Sequence, residues 1–83
     1  MNADSRMDWG LLWFDDNRKK AFAARVKRAA QQYRQKLGRA PDICYVHPDT
    51  LSGADTMPKG IDVVQSTYIQ PDHFWIGLKS DSH

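Results

Sequence analysis

Apolar and polar residues alternate between two periods along this chain, and the changes of period mark its elements. Residues 9–14 form an apolar run rich in Trp, Leu and Phe, which predicts a first strand. Asp15, Asp16 and Asn17 end it, three residues that favour helix starts. The spacing of Phe22, Val26, Ala29, Ala30, Tyr33 and Leu37 then traces one helical face and predicts a helix over 18–37. Gly38 stands where a helix C-cap glycine belongs, and Pro41 follows. A short second strand is predicted at 43–46, then a helical turn opened by Pro48. Residues 52–60 read as a loop, 61–68 as a third strand, 70–72 as a turn and 74–78 as a fourth strand.

The expected fold is α+β: one domain, β-α-β-(short helix or loop)-β-β, with one long helix packed on one face of a mixed four-stranded sheet. The first two strands and the helix suggest a parallel crossover, and the last two strands are close enough for an antiparallel hairpin. Residues 1–6 are polar and patternless and are expected to be a disordered extension. Residues 7–79 form the domain, and 80–83 are expected to fray.

Period-two alternation assigns the sheet faces. Leu11 and Trp13 oppose Leu12 and Phe14. Ile43 and Tyr45 oppose Cys44 and Val46. Phe74, Ile76 and Leu78 oppose Trp75 and Gly77. Three strands are therefore apolar on both faces, whereas a sheet with one wet face alternates apolar with polar. One helix covers one face. The second needs another cover, because monomers rarely expose a contiguous apolar patch. A second copy in a two-fold dimer is the expected cover, with Trp9, Trp13, Trp75 and Tyr45 as the candidate self-association residues. The alternative is a loop around Leu51 and Met57 folding back over that face.

Composition sharpens this picture in one respect. The 83 residues carry 12 Lys+Arg against 10 Asp+Glu, for a net charge of +2. All ten acids are Asp, yet none lies between Arg18 and Arg39, where nine bases are found. The rest of the chain holds three bases and ten acids, so +9 on one segment is balanced by −7 elsewhere. At about 100° per residue, Arg18, Arg25 and Lys36 lie on one shoulder of the helix and Lys20, Lys27 and Arg34 on the other, with Arg28 on the back. Shoulder cations lay their methylenes along the core edge and keep their charges wet. The same residues are candidates for binding an anion, an acidic protein or nucleic acid. With no Glu–Lys pairs, the helix must be held by packing, by Asp at its start or by an external anion.

Specific chemistry is sparse. The single cysteine, Cys44, excludes an intramolecular disulfide framework and a Cys-rich zinc site. It fits a reducing compartment, and no apolar run is long enough to span a membrane, so a cytoplasmic protein is expected. Cys44 and His47 stand three apart, which places them on opposite faces of a strand rather than around one metal. His47 and His73 sit at strand ends beside Asp49 and Asp72. If the second and fourth strands are neighbours, His47, Asp49 and His73 form the one candidate polar site for acid–base work. Turn and capping roles are the alternative for all three. There is no phosphate-binding glycine loop, nucleophile elbow or H-E-x-x-H motif, so no catalytic residue, metal or cofactor is assigned.

Two resemblances can be named. The segment Leu11-Leu12-Trp13-Phe14-Asp15-Asp16-Asn17 resembles the acidic pair of response-regulator receiver domains. That likeness implies Mg²⁺ binding, but it stops after about a dozen residues. The third strand ends without the phosphoacceptor Asp, and the late Lys strand is absent. The segments Ile43-Cys44-Tyr45-Val46-His47-Pro48 and Gln70-Pro71-Asp72-His73-Phe74-Trp75-Ile76-Gly77 resemble a family of small bacterial proteins with no assigned function. This likeness runs over most of the chain. It implies a discrete one-domain unit and transfers no site residue. The expected function is a small non-catalytic interaction module, with a nucleic-acid-binding accessory protein as the alternative.

Overall fold

The computed structural model describes residues 10–54 and 56–79. The expected extension at 1–6, the aromatic Trp9 and the frayed end at 80–83 lie outside the described residues. The elements run β1 (Leu11–Phe14), α1 (Phe22–Leu37), β2 (Ile43–Val46), α2 (Pro48–Leu51), β3 (Asp62–Gln65) and β4 (His73–Gly77). They build one mixed four-stranded sheet with the single long helix against it, an α+β fold as the periodicities predict.

Strand order differs from the expected hairpin. The order is β1-β4-β2-β3. β4 pairs antiparallel with both β1 and β2, and β3 pairs parallel with β2. β1 and β2 therefore run the same way with β4 between them. The physical reason lies in the strands' own composition. β4 has Phe74 and Ile76 fully buried on one face and Trp75 on the other, so it needs neighbours on both edges. β3 reads Asp-Val-Val-Gln and is mostly exposed, which suits an edge. Residues 47–61 supply the long crossover that a parallel pair requires.

The helix begins at Phe22, four residues later than its cap signals predict. The Asp15 amide donates to the Asp72 carbonyl and prolongs the β1–β4 ladder, so the chain cannot turn there. Asp15 and Asn17 instead accept from the Asn17 and Lys19 amides in local side-chain turns. The N-cap is Ala21, which has no capping side chain, and no acid lies in the first turn. At the other end Gly38 adopts φ 75°, and its amide closes the helix on the Arg34 carbonyl.

The core forms between α1 and one sheet face. Phe22, Val26, Ala29 and Tyr33 meet Cys44, Val46, Phe74 and Ile76 in one buried cluster. Leu11, Trp13, Val63, Leu51 and Ala54 complete its edge. Two expected helix positions change. Leu37 runs past the sheet and is exposed, and Arg25 takes a buried place. The third strand stops at Gln65, because the Ser66 hydroxyl accepts from the Tyr68 amide and turns the chain away.

Candidate functional site

Two regions of the molecule stand out by their chemistry: the sheet face opposite α1, and a charged corner where β1, α1, α2 and the turn before β4 meet.

Pairing register defines the open face. Leu12 lies opposite Trp75, and Phe14 opposite His73. On the other side of β4, Ile43 lies opposite Gly77 and Tyr45 opposite Trp75, and Val64 flanks Tyr45. These residues point away from the core. Leu12 is 56% exposed, Phe14 55% and Val64 37%, values expected of polar surface rather than of an aromatic–aliphatic stripe. Trp75 is half-buried because it lies flat over backbone: a Cβ added to Gly10 would sit 2.0 Å from its indole, and one on Gly77 2.9 Å. Only glycine leaves room for the ring at those two positions. Tyr45 meets Trp75 edge-on with centroids 6.2 Å apart, and Phe14 meets the His73 ring at 4.9 Å. The face is thus a continuous aromatic–aliphatic surface. Its charged rim is closed internally, since Lys79 and Asp62 form an ion pair at 2.5 Å.

This placement sorts the expected self-association residues. Trp75 and Tyr45 stand on the open face. Trp13 does not: it packs against the core cluster on the helix side, because it shares its face with Leu11 and lies opposite Phe74. Leu12 and Phe14 take its place, as their alternation against Trp13 already implied. The covering loop does not form on this face. Leu51 and Ala54 pack onto the core side, and Met57 is exposed.

No protein-family model, no curated protein and no solved structure matches the chain. The site must be read from its own chemistry.

The charged corner centres on Asp72. Gln70 to His73 closes a turn through the His73 amide, with Pro71 and Asp72 in the middle and Asp72 at φ 64°. That is the turn position that demands positive φ, which Asp tolerates better than most residues. The turn buries the Asp72 carboxylate, which accepts from Arg18 Nη2 at 2.7 Å and Arg25 Nη2 at 2.9 Å. The Asp72 amide donates to the Thr50 hydroxyl at 2.8 Å, tying in α2. Arg18's hydrogen bond, with help from Arg25, holds the Asp72 carboxyl below the ordinary carboxylate range, against the opposing effect of burial. Arg18 is correspondingly raised. A carboxylate held ionised by two guanidiniums is a poor general base.

Arg25 therefore departs from its expected role as a wet shoulder cation. Its side chain is 6% exposed, donates to the Asp15 carbonyl as well as to Asp72, and lies 5.1 Å over the Phe74 ring. Arg18 precedes the helix rather than riding on it, although its side chain remains 74% exposed. Lys20, Lys27, Arg28, Arg34 and Lys36 are exposed as expected.

The polar trio is brought to one end of the sheet, since β2 and β4 are neighbours with Val46 opposite Phe74. Each imidazole is engaged locally. His47 Nδ1 accepts from the Asp49 amide and caps α2. His73 Nδ1 lies 3.0 Å from the Pro71 carbonyl, to which it donates. Among the described residues no hydrogen bond or ion pair joins His47 to His73. Cys44 is fully buried on the core face, and burial pushes its thiol up to about 12. It cannot act as a thiolate at neutral pH.

Proposed function

We propose that this protein is a small, non-catalytic interaction module of the cytoplasm that forms a homodimer through its open sheet face. The observation that carries the reading is the run of Leu12, Phe14, Tyr45, Trp75 and Val64 on a face that no described element covers. A second copy is the occupant favoured by charge. The face's one ion pair, Lys79–Asp62, is satisfied within the chain, so like faces meet without like-charge repulsion.

Size sets the expected strength. Four strands about 4.8 Å apart and four to five residues long present roughly 300 Å² in plan. Two such faces with their rim side chains come close to the ~1,000 Å² at which specific association begins, which places the dimer among small, reversible interfaces. Sedimentation equilibrium from about 5 µM to 1 mM tests this. The mass should rise from one chain to two, and Leu12→Asp with Phe14→Asp should abolish the rise without altering the far-UV spectrum. A single-chain mass at 1 mM for the wild type would refute the reading.

A nucleic-acid accessory role is supported by a different observation. Lys27, Arg28, Arg34 and Lys36 lie exposed on α1 and make no ion pair among the described residues. A fluorescence titration with mixed-sequence DNA and RNA at 50 and 200 mM salt separates the two. Phosphate contacts by these residues would give binding that weakens steeply between the two salts. No binding at 50 mM removes this second reading.

A further inference from the structure

A cleft of about 440 Å³ opens beside the charged corner, between the start of α1, α2 and the turn before β4. Its lining includes Arg18, Lys20, Phe22, Thr50, Ser52 and the Asp72 carboxylate, with Arg25 at its base and Asp49 at its rim. The volume falls in the range of sites for small organic ligands.

Four observations agree on what such a ligand should carry. First, three cations face two carboxylates. Asp72 is already engaged by Arg25 and by one edge of Arg18, which leaves the Arg18 Nη1 group and Lys20 Nζ facing solvent. Second, α1 starts at this corner with no cap. Ala21 offers no side-chain acceptor and the first turn holds no acid, so no side chain caps the first-turn amides at the positive end of this 16-residue helix. Third, Arg25 lies more than nine-tenths buried at the base of the cleft, with its Nη2 turned to Asp72 and the Asp15 carbonyl, so it adds positive charge beneath the cleft without offering a ligand a direct contact. Fourth, the other wall offers neutral hydrogen-bonding groups. The Thr50 hydroxyl accepts from the Asp72 amide and keeps its proton to donate, and the Ser52 hydroxyl donates to the Asp49 carbonyl and keeps its lone pairs.

We infer that this cleft binds a small phosphomonoester, its dianionic phosphate between Arg18, Lys20 and the first turn of α1, and its hydroxyl-bearing body against Ser52 and Asp49. A tetrahedral dianion suits donors that converge from several directions, whereas the corner's planar carboxylate position is filled by Asp72. Asp49 at the rim repels a second negative group and accepts from hydroxyls, which favours a polyol phosphate over a diphosphate. The site lies on the helix side of the sheet, so it operates whether or not the open faces pair.

Amide chemical-shift titration with glycerol 3-phosphate and with inorganic phosphate, at ionic strength held constant with NaCl, tests the assignment. The expected result is saturable shifts confined to the residues around the cleft, 18–25, 49–53 and 72, with glycerol 3-phosphate binding several-fold tighter than phosphate. Arg18→Ala with Lys20→Ala, both on exposed side chains, should weaken binding at least tenfold with an unchanged far-UV spectrum. Lys27→Ala with Lys36→Ala, outside the cleft, should leave binding unaltered. Shifts that fail to saturate by 20 mM, that spread along the outer face of α1, or that survive the Arg18/Lys20 double change would overturn it.

Discussion

Replacing Asp72 by Asn tests how this small core is locked. Asn has nearly the same shape and tolerates the φ of 64°, so the change removes the charge and one of the two acceptor oxygens while leaving the backbone in place. Arg25, at 5% residue exposure, then keeps the Asp15 carbonyl and the Phe74 ring but loses its counter-charge. Breaking a buried ion pair from one side costs about 3–5 kcal/mol. Asn retains one neutral acceptor, which reduces the expected loss to about 2–3 kcal/mol. Arg18 contributes little of this, because its side chain is 74% exposed and solvent screens its charge. A domain of this length has roughly 4–12 kcal/mol in total, so the change is large. Urea unfolding followed by far-UV circular dichroism, at one fixed protein concentration, should show a lower midpoint with an unchanged slope. The pH dependence has a definite sign. The folded carboxyl is held below its unfolded value of about 3.9. Its contribution is therefore present above pH ~4 and is lost as pH falls through the folded value. The gap between wild type and Asp72→Asn should be constant from pH 7 to 5 and narrow below 4. A loss under 0.5 kcal/mol at pH 7, or an equal loss from Arg18→Ala, would refute the buried-lock account.

Further expectations follow from the glycine seat and the thiol. Gly10→Ala places a methyl group against the Trp75 indole and should tilt the ring off the open face, costing about 1 kcal/mol and changing the near-UV spectrum; an unchanged spectrum would show that the ring does not rest there. Cys44 should resist a thiol reagent at pH 8 in the native protein and react at once in urea, so rapid native labelling would contradict its burial on the core face.

Much of the architecture was legible locally. The 3.6-residue spacing of Phe22, Val26, Ala29 and Tyr33 is enough to place α1, and Gly38 marks its end, because both signals act within a few residues. Alternation placed Leu12 and Phe14 opposite Trp13, and Pro71-Asp72 signalled the turn before β4. The helix start was misread because Asp15 has two competing uses, a cap or a ladder residue, and its backbone bond to Asp72 decides between them.

The sequence by itself determined the elements, the two apolar faces of the sheet and the gathering of bases around one helix. Each follows from the period of the side chains or from composition. Tertiary structure alone decided that β4 enters between β1 and β2, that Arg25 turns inward, and that Asp72 becomes the centre of the charged corner. The reason is distance along the chain. Arg25 and Asp72 stand 47 residues apart, and no local propensity records such a pairing; the Asp72 carboxylate, the Asp15 carbonyl and the Phe74 ring that hold Arg25 inward meet only once the sheet has formed. The same holds for the cleft, whose walls come from three separate segments that the sheet order brings together.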